Sequence, residues 1–327
     1  MKSLVTGASG HLGNNLVRLL IEKGHEVRAL VRTQSSTLSR IPGVTIVHGD
    51  VLDRDSLASA CAGMDSVFHL AGKISTFGDP DGSVLNTNVN GSLNVAHAAL
   101  SAGVRRMVQC SSVQAFNFSS QQHDVLNEEF SLVDSRKSAP AYDFSKAESQ
   151  RQVLSLIPKG LEVVVVNPTG VIGPNDFEPS RMGQVFLDLK SRSLPSLVNG
   201  SFDFVDVRDV AQGIWRSLEK GRSGQAYLLG NRTVSLVEIA QMAQEVTGVV
   251  PPRFTCPRWL AFGTAPFVEG LSRMTGSPPL YTREAVATLS RDKEISSTKA
   301  QEELGYSTRP LAESVRDLYA SFEERGL

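Results

Sequence analysis

The 327-residue sequence predicts an α/β fold, a doubly wound parallel sheet with a smaller, mostly helical C-terminal lobe. Three observations carry that expectation. Short apolar runs rich in β-branched residues alternate with helical patterns through the first half, a glycine-rich turn follows the first run, and after about residue 173 the alternation breaks down into helical, proline-richer sequence. Strands covered by helices on both faces are buried on both faces, so they read as continuous apolar runs rather than alternating ones. Strand, helix and strand repeated in this way imply right-handed crossovers and helices on both sides of one sheet.

In chain order, "SLVT" (3–6) is the first strand, and the helix over 12–23 is stopped by Gly24. "EVRALV" (26–31) and "VTIVH" (44–48) are the next two strands; Asp53 caps a helix over 56–62. "SVFHL" (66–70) precedes a helix over 85–102 closed by Gly103, and "RMVQCS" (106–111) precedes a helix over 142–157 closed by Pro158. "LEVVVV" (161–166) is a further strand. Later, 204–218 reads as a strand entering a helix and 226–229 as a strand, Ser235 with Glu238 forms a capping box, and a last helix covers 311–325. The expected division is a dinucleotide-binding domain over 1–173, to which 204–230 returns, and a substrate lobe over 174–203 and 231–327.

Composition narrows the classes. The 33 lysines and arginines balance 34 acids, so no overall basic field attracts nucleic acid. Cys61, Cys110 and Cys256 are odd in number and far apart, which argues for a reducing compartment. The N-terminus "MKSLVTGASG" lacks the apolar core of a signal peptide, and no apolar run approaches the roughly 20 residues of a spanning helix. A soluble cytoplasmic protein is expected. The six histidines (11, 25, 48, 69, 97 and 123) form no close ligand pair, so no metal is expected. Ser9 lies in "GASG" and lacks the turn of a nucleophile elbow.

The turn "TGASGHLG" spaces Gly7, Gly10 and Gly13 three apart and starts a helix within itself. A dinucleotide pyrophosphate needs a tight turn, backbone close enough to touch phosphate, and a helix N-terminus whose free N–H groups favour anions. The segment from Gly7 through Gly10, His11, Leu12 and Gly13 supplies that cradle. The second strand runs into "ALVRTQSS", with Arg32 where an acid would mark NAD. An arginine there accommodates the 2′-phosphate of NADP, so NADP is preferred over NAD; the alternative is an arginine that only stacks on adenine or points into water.

"TGASGHLG" on the first strand, "NVNG" (88–91) opening a helix, "CSS" (110–112) ending a strand, and Tyr142 with Lys146 in "AYDFSKAES" together resemble the extended branch of the short-chain dehydrogenase/reductases, with a Rossmann-type sheet. "HLAG" (69–72), "NPTGVIGP" (167–174) and "FVDVRDVA" (204–211) extend the likeness along the chain, which is most similar to the dihydroflavonol 4-reductase and 3β-hydroxysteroid dehydrogenase group. The resemblance implies Tyr142 as proton donor and acceptor, Lys146 as its partner, Ser112 on the substrate oxygen, and Asn88 supporting an active-site water. It also implies that Asp50 and Val51 contact adenine, that Leu70, Ala71 and Gly72 line the cofactor groove, and that Pro168 and Val171 approach the nicotinamide. Ser111 is read as structural. Residues four apart share a helix face, so Lys146 is expected to draw the Tyr142 phenol below its ordinary pKa of about 10. A homodimer through the helices over 85–102 and 142–157 is implied as well.

The expected function is interconversion of a carbonyl and an alcohol on a largely apolar small molecule. A sugar-nucleotide epimerase using tightly held NAD is the rival enzyme, and a non-catalytic nucleotide sensor or scaffold is the rival of another class, which would not require the Ser112, Tyr142 and Lys146 set. The apolar stretch over 259–271, with Trp259, Leu260, Phe262, Phe267, Val268 and Leu271, is expected to line an apolar substrate cleft, the alternatives being lobe core, dimer contact or membrane contact.

Overall fold

The computed structural model describes residues 1–119, 124–137, 139–275, 279, 281–289 and 293–327; His123 and residues 276–278 and 280 of the apolar C-terminal stretch lie outside them. In chain order come β1 (Lys2–Thr6), α1 (His11–Glu22), β2 (Glu26–Val31), β3 (Val44–His48), α2 (Arg54–Cys61) and β4 (Ser66–His69). A short α3 (Ser83–Leu85), a π-helical stretch over Asn86–Gly91 and α4 (Ser92–Ser101) follow, then β5 (Arg106–Cys110), β6 (Val125–Leu126), α5 (Ala141–Leu154) and β7 (Glu162–Pro168). The remainder is β8 (Gly170–Ile172), α6 (Arg181–Lys190), β9 (Leu197–Val198), β10 (Ser201–Asp206), α7 (Val207–Lys220), β11 (Ala226–Leu229), β12 (Arg232–Ser235) and α8 (Leu236–Thr247). β13 (Thr255–Cys256), α9 (Arg258–Thr275), α10 (Arg283–Thr288), β14 (Glu294–Ile295), α11 (Thr298–Leu304) and α12 (Leu311–Glu323) end the chain.

Seven strands form one parallel sheet in the order β11-β7-β5-β4-β1-β2-β3. The chain winds outward from β1 to β3 and then crosses back to β4. This places the topological switch between β1 and β4, where ligands bind outside the carboxyl ends of the strands.

Successive side chains point to opposite faces of a strand, and the two cores follow that rule. Val5 and Phe68 pack under α1 and α7 with Leu16, Leu20, Val210 and Ile214. Their neighbours Leu4 and Val67 face the other way, beneath α2, α4 and α5 with Leu57, Val95, Ala96 and Val153. Phe68 is wholly buried at the sheet centre, and its truncation to alanine would cost about 3–5 kcal/mol.

α7 covers the same face as α1, while β11 extends the sheet beyond β7. α6, α8 and α12 build a third core around the small sheet β12-β10-β8, with Phe186, Phe204, Ile239, Tyr319 and Phe322. Ser235 caps α8 by accepting from the Glu238 N–H at 3.1 Å, and Asp53 caps α2 through the Asp55 N–H at 3.1 Å. The expected helix over 85–102 is present, but its middle is wound as a π-helix, a form that the apolar pattern does not distinguish. The three cysteines are buried free thiols. Among the described residues, no helix is long and apolar enough to cross a membrane.

Candidate active site

The turn after β1 sets the floor of the cleft. Gly7 has φ +68°, and a Cβ there would meet the Ala71 nitrogen at 2.6 Å, so the turn lies directly against the loop after β4. A Cβ on Gly13 would fall 2.1 Å from the Gly7 carbonyl oxygen, so glycine alone lets α1 start this close to the turn. Gly10 is the N-cap of α1 without a side-chain cap, and outward of its Cα only the Gly7 oxygen comes within 4 Å, at 3.4 Å. Free N–H groups, close backbone and open space at a 12-residue helix N-terminus fit the pyrophosphate of a dinucleotide.

Leu12 packs into the core beneath α1. The His11 side chain departs from a direct cofactor role. Its Nε2 lies 3.1 and 3.0 Å from the carbonyls of Gly173 and Pro174, and it ties the cradle to the loop after β8. Asn15 reinforces the tie by donating to Pro174 at 3.1 Å, and Asn175 donates to Asn15 at 3.0 Å. Neither asparagine was singled out by the sequence, because the contact joins segments about 160 residues apart.

Arg32 directly follows β2 and is exposed. Beside it, the Asp50 carboxylate accepts from the Leu52 N–H at 2.9 Å, and Val51 is buried against Gly91, where a Cβ would come within 2.7 Å of Val51 Cγ2. Leu70 joins the α1-side core, and Ala71 donates its N–H to Thr6 at 3.3 Å. Pro168 ends β7 and Val171 lies in β8, paired with Val205 of β10.

The remaining candidates converge where β4 and β5 end. Gly72 looks onto both Asn88 and Lys146: a Cβ on it would be 3.2 Å from Asn88 Oδ1 and 3.3 Å from Lys146 Nζ. Lys146 is buried and donates to the Cys110 carbonyl at 3.0 Å. Tyr142 lies near enough to Ser112 for the serine hydroxyl to favour the phenolate, while Ser112 Oγ also accepts from the Gln114 N–H at 3.2 Å. Ser111 faces the backbone of α5, at 3.5 Å from the Lys146 carbonyl. Asn167, at the end of β7, holds the Ser112 carbonyl at 2.9 Å, so the serine is fixed from a strand and not from a loose loop.

The electrostatics correct one expectation. The Lys146 ammonium is taken up by the Cys110 carbonyl and does not draw the phenol down. Burial dominates instead and pushes the Tyr142 pKa up, while the Ser112 hydrogen bond pulls it the other way. Burial likewise pushes the Lys146 ammonium down. The tyrosine therefore stands as a neutral phenol, the form that gives a proton.

Asn88 sits in the π-helical turn, where its side chain accepts from the Lys73 N–H at 2.7 Å and donates to Ser145 at 2.9 Å. Its carbonyl accepts from the Ser92 hydroxyl at 2.6 Å. Ser92 Oγ lies 2.8 Å from His69 Nε2, and His69 Nδ1 lies 2.7 Å from the Thr6 hydroxyl. The bonding assigns the tautomer: because Ser92 gives its proton to Asn88, it accepts from His69 Nε2–H, and Nδ1 accepts from Thr6. Burial, with Lys146 nearby, lowers the His69 pKa to about 3, so the ring is neutral. Among the described residues, no group of His, Cys, Asp or Glu is placed to hold a metal.

Fold and site together define a nucleotide-cofactor enzyme of the doubly wound class. The model of the NAD dependent epimerase/dehydratase family matches residues 3–230, and the chain belongs to that family, in the extended branch of the short-chain dehydrogenase/reductases. It is an NAD(P)-dependent oxidoreductase of that branch. It is 33% identical over 331 residues to sterol demethylase protein B of Methylococcus capsulatus, covering 100% of both chains. It is 32% identical over 328 residues to a provisionally named dihydroflavonol 4-reductase of Synechocystis sp., covering 98% of this chain and 94% of that one. The solved structure described as gox2253 aligns with a TM-score of 0.81 at 34% identity, covering 99% of this chain and 98% of that one.

Proposed function

We propose that this chain interconverts a carbonyl and an alcohol on a largely apolar small molecule, preferring NADP over NAD. The observation that carries the reading is the half-buried Tyr142 phenol close to Ser112, with the buried Lys146 and Asn88 gathered opposite Gly72. The nicotinamide cofactor supplies or accepts the hydride. Tyr142 holds the proton that the substrate oxygen takes up, and Ser112 hydrogen-bonds that oxygen as charge develops on it. Lys146 and the Gly7 to Gly13 cradle hold the cofactor, with Arg32 free to pair a 2′-phosphate. The apolar substrate class rests on the names of the sterol and flavonoid relatives, and a cytoplasmic setting on the three unpaired cysteines.

The test mixes the protein with NADPH or NADH and a series of hydrophobic ketones, and in parallel measures UDP- and dTDP-sugar binding by calorimetry. Faster oxidation of NADPH with apolar ketones is expected. Tight sugar-nucleotide binding without reduction of any ketone would replace this reading with the epimerase, and cofactor binding without turnover of either class would favour a sensor.

A further inference from the structure

Helix α9 is amphipathic with its apolar side turned to solvent. Its inward residues Ala261 and Ala265 are fully buried, Ala261 against Cys256 and Val286, and Thr264 is pinned to Tyr281 at 2.7 Å. Its outward residues are Trp259 (75% exposed), Phe262 (42%), Phe267 (80%) and Leu271 (62%). With the exposed Gly263 and Pro266 between them, they recur at the three- and four-residue steps of one helix face. The stripe runs roughly 18 Å, at about 1.5 Å per residue, without a charge on it.

Its surroundings are basic, although the whole chain is nearly neutral. From 249 to 284 the sequence carries Arg253, Arg258, Arg273 and Arg283 against two acids, Glu269 and Glu284. Glu269 is already engaged by the Arg283 N–H at 2.9 Å, and the Arg283 guanidinium lies over the Phe262 ring at 4.7 Å. A helix with Trp, Phe and Leu on one face, bordered by arginines, suits the boundary between headgroups and acyl chains. α9 is not long and apolar enough to cross. A second copy fits less well, because a twofold pairing of the stripe would set arginines against arginines.

We propose that α9 is an interfacial anchor by which the protein lies on an anionic phospholipid bilayer, with Trp259, Phe267 and Leu271 inserted and the flanking arginines on lipid phosphates. The inference is independent of the identity of the substrate.

The test is flotation of the full chain with phosphatidylcholine vesicles and with vesicles in which about one quarter of the lipid is phosphatidylglycerol. Binding to the anionic vesicles is expected, weakened by salt. The variant carrying Phe267→Glu and Leu271→Glu should lose at least about tenfold of that partition while keeping the wild-type melting temperature, since both side chains are already in water. Wild-type protein that stays unbound with both vesicle types would overturn the proposal. So would a double variant that floats as well as wild type, or a concentration-dependent dimer abolished by the same substitutions without vesicle binding.

Discussion

Arg32 is the residue proposed to set the choice of cofactor. Its side chain reaches solvent at the end of β2, and the neighbouring Asp50 carboxylate caps its own turn. Arg32→Ala is expected to weaken NADPH by about 1.5–3 kcal/mol, the value of a charge-assisted hydrogen bond, and to leave NADH nearly unchanged. Calorimetric titration decides it, and equal losses for both cofactors would mean adenine stacking. His69 sets an acid limit. Its folded pKa is lowered to about 3 by burial, against roughly 6.5 when unfolded, so between these values the unfolded chain binds the extra proton and stability falls as pH drops. Thermal melting from pH 7 to pH 4 should show a loss on the order of 3 kcal/mol, and His69→Gln should flatten that slope. An unchanged slope would place the acid sensitivity elsewhere. At this scale the sequence was legible where a local spacing held the chemistry, as with Tyr142 and Lys146 on one helix. It was not legible for the Thr6, His69, Ser92 and Asn88 chain, which brings four elements together, nor for the raised tyrosine pKa, which depends on burial that spacing does not encode.

Among the elements, α1 depends most on a single atom's absence. Gly13→Ala would press a methyl within 2.1 Å of the Gly7 carbonyl and 2.8 Å of Ala8 Cα, both backbone, so α1 must move off the turn. A loss of about 1–3 kcal/mol in stability is expected from such overpacking, together with weaker binding of either cofactor. Denaturant unfolding and calorimetry would detect both; unchanged values would contradict the cradle geometry. The central strands were readable because helices cover both faces of the sheet and leave uninterrupted runs such as "VVVV". The small sheet β12-β10-β8 was not, since its pairings join distant short segments. The π-helical turn at Asn86–Gly91 also escaped, and its tight contact between Gly91 and Val51 exists only once α2 and α4 are packed. The 259–271 stretch shows the limit of apolar pattern alone: it was read as lining for an apolar substrate cleft, and only the packing shows Trp259, Phe267 and Leu271 turned to solvent.

For the whole molecule, a homodimer through α4 and α5 remains the expected assembly. The outer edge of α4, with Asn94, His97 and Ser101, lines a groove of about 670 Å³ against α2. Light scattering at micromolar concentration should return twice the chain mass, and a monomer would contradict the seam. The central claim is that the neutral phenol at Tyr142 delivers the proton as a carbonyl is reduced. Single-turnover reduction of an apolar ketone by the NADPH-loaded protein, compared between wild type and Tyr142→Phe, tests it most directly. The account predicts a fall of roughly 10²–10⁴-fold in the rate with NADPH affinity retained. A variant that reduces the ketone at close to the wild-type rate would contradict it.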